Sequence, residues 1–328
     1  MSTNEDLSLD EGVSRRQFLA STTRGAVGFA VGAALTLEAT AQEQVATPAA
    51  GKYIDVHTHV GQQWGNRLPL SGEDLLRWMD SQGIMKAIVL SLISPESFDY
   101  VVSVDFTLKE TAPHRDRLIP FCTIDPRTEE HNTVEKKVKM LKKYVDAGAR
   151  GFGEHKCGTP IDDPRSLEIY AACSELKLPL LFHMDNIRNT DVPGLPGLEK
   201  ALASAPDAIF IGHAQGWWAS ISGDMTQEMF GTYPKGKIAP GGAIDTLMDK
   251  YPNLYGDLSA GSGANALTRD PEFAREFLIR RQDRLMFGTD YLAPKQEIPQ
   301  FDVLGKIDLP EDVRKKIYVE NAARVLGL

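Results

Sequence analysis

Cysteine is scarce, with Cys122, Cys157 and Cys173 as the only three in 328 residues and no C-x-x-C pair among them. An odd, scattered set of this kind excludes a zinc ribbon or a disulfide framework as the basis of the fold. Basic charge is also in deficit: Lys+Arg 36 against Asp+Glu 45 gives −9. Such a chain has no electrostatic attraction to phosphate backbones or anionic lipid, so nucleic acid is not an expected partner. Long apolar runs are missing. The stretch from Gly25 to Leu37 is broken by Gly28 and Gly32 and falls short of the roughly 20 residues that a spanning helix needs. A dinucleotide fingerprint is missing too, because Gly61-Gln62-Gln63-Trp64-Gly65 has the wrong spacing after the first apolar run. What is present is an ordinary globular composition, 42% hydrophobic and 25% charged, which excludes a disordered chain.

The first forty residues read as an address. Ser14-Arg15-Arg16-Gln17-Phe18-Leu19 sets two arginines before the Gly25 to Leu37 stretch, and small residues follow at Ala39 and Ala41. That order matches a twin-arginine export signal. The expected organisation is a signal at 1–41 cleaved after Ala41, a linker at 42–52, and a folded domain at 53–328. The mature protein is then expected in the periplasm or outside the cell, with the export machinery as a partner and no stable membrane anchor.

From Tyr53 onward, short apolar runs alternate with segments of helical period, the pattern of repeated βα units around a parallel sheet. Eight such runs occur: Tyr53 to His59, Lys86 to Leu92, Leu118 to Thr123, Ala149 to Lys156, Leu178 to His183, Ala208 to His213, Leu254 to Leu258 and Leu285 to Gly288. The intervening helices include Glu73 to Gln82 behind a Ser71-x-x-Asp74 capping pattern, Val134 to Asp146, Pro164 to Leu176 and Pro271 to Ile279. Eight alternations in this length predict a single α/β domain, a (β/α)8 TIM barrel, with an open doubly wound sheet as the alternative. Ala214 to Gly242 has little helical pattern and is long for a βα loop, which makes it a candidate lid or substrate loop.

In a parallel barrel the active site gathers at the C-terminal strand ends. Metal-ligand types stand there in this chain. The first run ends Asp55-Val56-His57-Thr58-His59, and alternation along a strand puts both imidazoles on one side. The fifth and sixth runs stop at His183 and His213, and the eighth leads through Gly288-Thr289 into Asp290. On the fourth, Glu154 and Lys156 share a face and His155 lies opposite, toward the helices. A lone histidine at a strand end is usually a hydrogen-bonded structural residue. Four of the seven at such ends, with an aspartate on the last strand, point instead to a metal site.

His57-x-His59, His183, His213 and Asp290, in that order, resemble the metal-dependent amidohydrolase superfamily. The closing Glu320-Asn321-Ala322-Ala323-Arg324-Val325-Leu326-Gly327-Leu328 is similar to the C-terminal helix of its amidohydrolase-related branch, the branch that includes aminocarboxymuconate semialdehyde decarboxylase. The resemblance implies a (β/α)8 barrel holding a first divalent metal on His57, His59, His183 and Asp290. Zn²⁺ is the leading expectation and Mn²⁺ or Fe²⁺ also suits these ligands. Asp290 is the implied proton shuttle, and His213 either orients substrate or binds a second ion. Glu154 is either a carboxylate bridging two ions or the partner of Lys156 in a buried ion pair. Asn186, Arg188 and Trp217 are further candidates for contacting substrate.

The leading functional expectation is an exported metal-dependent hydrolase that cleaves an ester, lactone or amide bond in a small molecule with metal-activated water. Nonoxidative decarboxylation of an unsaturated or aromatic acid is the second, and a noncatalytic metal- or ligand-binding protein the third. A homo-oligomer is compatible with all three.

Overall fold

The computed structural model describes residues 51–328, so the expected signal and nearly all of the expected linker lie outside the described residues. Among the described residues eight parallel strands are present, each within or overlapping an apolar run of the sequence. They are β1 (Tyr53–Thr58), β2 (Ile84–Val89), β3 (Leu118–Pro120), β4 (Phe152–His155), β5 (Leu180–His183), β6 (Phe210–His213), β7 (Leu254–Asp257) and β8 (Leu285–Met286). β1, β2 and β3 pair in order, and so do β4 through β8. The two ladders meet where Cys122 pairs with Phe152, the Gly153 N–H donating to the Cys122 carbonyl at 2.7 Å. β8 returns to β1 through Val56 N–H to Phe287 O at 3.0 Å and Asp290 N–H to His57 O at 2.8 Å. The ring is closed and the fold is the expected (β/α)8 barrel.

Local chemistry accounts for the helices. Ser71 and Asp74 form the reciprocal capping box ahead of Gly72–Gln82, and Gly83 ends that helix in the left-handed conformation. Asp163 caps Pro164–Leu176, with proline in the first turn where its missing N–H costs nothing. The C-terminal motif closes the barrel from below. Buried Asn321 donates to the carbonyls of Gln282 and Leu285, and Phe287 N–H donates to Ile317 O.

Ile54, Val56, Ile88, Ile119, Leu181, Ile211, Tyr255 and Met286 form an interior cluster that draws on every strand except β4. β4 is absent because Gly153 sits there with φ 152°, and a Cβ on it would lie 3.1 Å from Leu181 O and 3.3 Å from Leu90 Cδ2. β1 departs from simple alternation. Val56 joins the interior cluster, and the β1–β2 register slips between Asp55 and Thr58. This irregularity, of the kind that re-aims side chains near sites, lets His57 and His59 follow Val56 into the barrel mouth.

Candidate active site

The seam between β1 and β8 is fastened by a buried aspartate. Asp55 Oδ1 accepts the N–H groups of His57 and Thr289, each at 3.0 Å, and Oδ2 accepts the Thr289 hydroxyl at 2.6 Å. This fixes the two segments that present His57 and Asp290. Burial outweighs these hydrogen bonds and pushes the Asp55 carboxyl up to about 7.

His57 Nδ1–H donates to Asp257 Oδ2 at 2.7 Å, and His59 Nδ1–H donates to the Leu90 carbonyl at 3.2 Å. In its neutral form each ring would turn an unprotonated Nε2 inward, and these two nitrogens lie 3.1 Å apart. Two facing lone pairs at that distance repel unless a proton or a cation lies with them. Carboxylates complete the arrangement: Asp290 Oδ1 is 3.4 Å and 3.5 Å from the two nitrogens, and Glu154 Oε2 is 3.9 Å and 3.6 Å away. Glu154 Oε2 is buried with no hydrogen-bond partner, an expensive condition for a charged oxygen. Imidazole nitrogens and carboxylate oxygens in this arrangement fit a divalent metal.

His183 belongs to a second group. Its Nδ1 lies 2.8 Å from Glu154 Oε1 and its Nε2 2.9 Å from Asp185 Oδ2. A neutral ring donates to only one of them, so the other contact also calls for positive charge. Three overlapping sets of side chains bring their ligating atoms together: His57, His59 and Asp290; His57, His213 and Asp257; and Glu154, His183 and His213. Glu154 reaches the first and the last of these, one oxygen to each. Lys156 is on hand as well, 3.7 Å from Glu154 Oε1 and over the Phe98 ring. Both expected roles of Glu154 are therefore geometrically open to it.

The charges respond to this crowding. Burial pushes His57 toward the neutral form, but Asp290, Asp257 and Glu154 outweigh it and raise its pKa to about 9. Burial opposes ionisation of Glu154, yet Lys156, His183 and His57 hold its carboxyl well below the usual range. Asp290 is likewise depressed against its burial by His57 and His59. Burial, together with the neighbouring His57, lowers the His213 pKa.

Asp257, on β7, ties these groups together. Its Oδ2 accepts from His57 Nδ1 and from the Ser259 hydroxyl at 2.6 Å, and it lies 3.0 Å from His213 Nδ1, whose hydrogen-bond partner is Ser259 Oγ at 3.0 Å. His213 Nε2 has no hydrogen-bond partner among the described residues and presents a lone pair. The chain leaves β6, β7 and β8 through three left-handed non-glycine residues, Ala214 (φ 85°), Ala260 (φ 59°) and Asp290 (φ 59°), the kind of backbone strain that collects at functional sites.

A cavity of about 270 Å³ opens above this cluster. Trp64, Phe98 and Tyr233 give it aromatic walls, and Lys156, Arg188 and Asp290 give it charge. A larger hollow of about 620 Å³, bordered by Tyr53, Arg314 and Tyr318, lies at the opposite end. Among the described residues no metal-ligating group stands there.

Two of the candidate substrate contacts are placed elsewhere. Trp217 is fully buried, its ring edge-on to Phe182 with centroids 5.8 Å apart, and it packs beneath Gly212. It is a core residue because the short helix Gln215–Ala219 turns it down behind β5 and β6. Asn186 is exposed and lies against Gly231 rather than in the cavity. Arg188 does line the cavity, held by Asp185 Oδ2 at 2.6 Å and the Glu96 carbonyl. The expected lid, Ala214 to Gly242, is only partly one: Gln215 and Tyr233 reach the cavity while Trp218 and Phe230 are core. His155 faces outward onto Phe152 and Tyr170, as alternation predicted. Asp185 was missed in the sequence, although its place two residues after His183 is the same alternation signal that flagged His59. Cys122, Cys157 and Cys173 are free and buried.

Several solved structures share the fold. A probable 2-pyrone-4,6-dicarboxylic acid hydrolase from Acinetobacter baumannii aligns with TM-score 0.55 at 12% identity over 84% of this chain and 100% of its own. The 2,6-dihydroxybenzoate decarboxylase from Rhizobium aligns with TM-score 0.53 at 17% identity over 85% and 99%. A 5-carboxyvanillate decarboxylase from Novosphingobium aromaticivorans, solved in complex with manganese, aligns with TM-score 0.54 at 16% identity over 86% and 99%. No curated protein matches the chain. The amidohydrolase family model matches residues 54–328, a range that takes in every strand-end candidate described above, and the chain belongs to the amidohydrolase family.

Proposed function

We propose that this protein is a metal-dependent hydrolase that cleaves an ester, lactone or amide bond of a small molecule. The observation that carries the reading is the contrast within the ligand cluster: the His57, His59 and Glu154 side chains are sealed, at 0% to 1% exposure, whereas Asp290 is 19% exposed toward the cavity. An ionised carboxylate placed between buried imidazoles and an open cavity suits a group that takes a proton from attacking water and returns it to a leaving group. A divalent metal, when bound, supplies Lewis-acid polarisation of a carbonyl and acidifies water. His57, His59 and Asp290 would hold one ion, and Glu154, His183 and His213 a second. Zn²⁺ is the metal we favour, because neutral imidazoles and carboxylates without thiolate suit it. His213, its Nδ1–H tied to Ser259 Oγ beside Asp257, contributes only the Nε2 lone pair, which suits ligation better than donation to a substrate.

Nonoxidative decarboxylation is the second reading, supported by the activities named for the Rhizobium and Novosphingobium neighbours. Metal analysis of the purified protein, with a screen of esters, lactones, amides and carboxylic acids, separates the two. Water-consuming cleavage that fails in Asp290→Asn while metal stays bound supports hydrolysis. Release of CO2 from an acid without uptake of water overturns it.

We further propose export by the twin-arginine route with cleavage after Ala41. Among the described residues no helix is long and apolar enough to cross a membrane. N-terminal sequencing of the exported fraction tests this, and a chain that still begins before Arg15 rejects it.

A further inference from the structure

The charged groups of the cavity are largely matched to one another: Lys156 with Glu154, Arg188 with Asp185, and Asp290 with the β1 imidazoles. One set of donors is not matched. The nine-residue helix Ala260–Thr268 begins directly after β7, and its first three residues, Ala260, Gly261 and Ser262, all line the cavity beside His213 and Asp290. Ala260 N–H reaches the Thr289 carbonyl at 3.4 Å and Gly263 N–H reaches Ser259 O at 3.1 Å. Between them, the N–H groups of Gly261 and Ser262 have no hydrogen-bond partner among the described residues. The Ser262 hydroxyl is unpartnered as well, on a residue only 3% exposed. A helix start alone is common. A start that lines the reaction cavity and adds a buried, unsatisfied hydroxyl is a donor set waiting for an acceptor.

We propose that the Gly261 and Ser262 N–H groups and the Ser262 hydroxyl form a cradle for a carboxylate group of the substrate. Helix-start amides favour negative charge, and a carboxylate offers acceptor sites for several donors at once. Left-handed Ala260 bends the chain so that the helix begins at the cavity wall. Gly261 keeps the approach open, since a Cβ there would lie 3.3 Å from the Tyr233 hydroxyl. The cradle lies beside the Asp290 and His213 region of the proposed hydrolase site, and the inference rests on that reading for where the scissile bond sits.

Calorimetric titration of the full chain with sodium benzoate, and with benzamide as its uncharged counterpart, tests the cradle on metal-loaded and chelator-stripped protein. Ser262→Ala should weaken benzoate binding about tenfold, the scale of a charge-assisted hydrogen bond. Ser262→Asp, which fills the cradle with its own carboxylate at a position where helices favour acidic residues, should abolish it. Benzamide affinity and metal content should not change in either variant. Benzoate affinity that ignores both substitutions, that depends only on metal, or that is absent from the wild-type chain overturns the proposal. Ser262-dependent binding in a protein that holds no metal would leave the cradle standing and reject the hydrolase.

Discussion

The Nε2 atoms of His57 and His59 face each other at 3.1 Å, each ring held from behind through Nδ1, one by Asp257 and the other by the Leu90 carbonyl. Two neutral rings fixed in that way would set lone pair against lone pair, a conflict that a proton on His57 or a bound cation relieves, so the site is organised around a positive charge. His57→Ala or His59→Ala should each lower bound metal to less than a tenth of the wild-type content and turnover by at least about 100-fold. Elemental analysis and rate measurements on the same preparations check this.

Glu154 discriminates between one ion and two. If it bridges, Glu154→Gln should halve the metal content, emptying the His183 and His213 group while the His57, His59 and Asp290 ion stays. If its role is only to neutralise Lys156, metal content stays as in the wild type and the protein is destabilised by the newly unpaired buried ammonium. Stoichiometry and a melting curve read the two outcomes separately.

Asp257→Asn keeps the shape of the side chain but removes the anion that sets the Nδ1–H tautomer of His57 directly and that of His213 through the Ser259 hydroxyl. Loss of such an outer partner typically costs 10- to 100-fold in metal affinity or activity. We expect the metal dissociation constant to rise within that range while the fold, followed by circular dichroism, is retained.

Asp125 links the loops after β2 and β3 through Arg127 and Ser94. Burial works against its ionisation, but the Arg127 guanidinium and Ser94 hydroxyl hold its carboxyl down at about 2. A depressed folded-state pKa means stability that is present above the unfolded value of about 3.9 and is lost as pH falls through about 2. The contribution is on the order of 1–2 kcal/mol after allowance for solvent screening. Unfolding free energies of wild type and Asp125→Asn should therefore converge between pH 4 and pH 2.

Trp217→Ala should destabilise the protein by about 3–5 kcal/mol, as large-to-small changes of aromatic core residues do. The ring fills the space behind Phe182 and Gly212, so metal content should be unaffected wherever the variant folds. A variant of normal stability with altered substrate affinity would return Trp217 to the cavity wall.

The eight apolar runs and the intervening helical periods were enough to predict the barrel, because strand and helix periodicity are local properties written along each segment. The grouping of the strand-end candidates was legible for the same reason: His57, His59, His183, His213 and Asp290 each end or follow a run whose C-terminal end must lie at the mouth of a parallel barrel. Only the tertiary structure decided how those ends meet. It sets His183 between Glu154 and Asp185, places the Asp257 carboxylate beside two imidazoles, and turns Trp217 into the core. It also brings the start of the Ala260–Thr268 helix to the cavity. Periodicity tells which way a side chain points from its own strand. The distance between side chains on different strands depends on barrel register, the slip in β1 and the left-handed exits of β6, β7 and β8, and those follow from closing the ring as a whole.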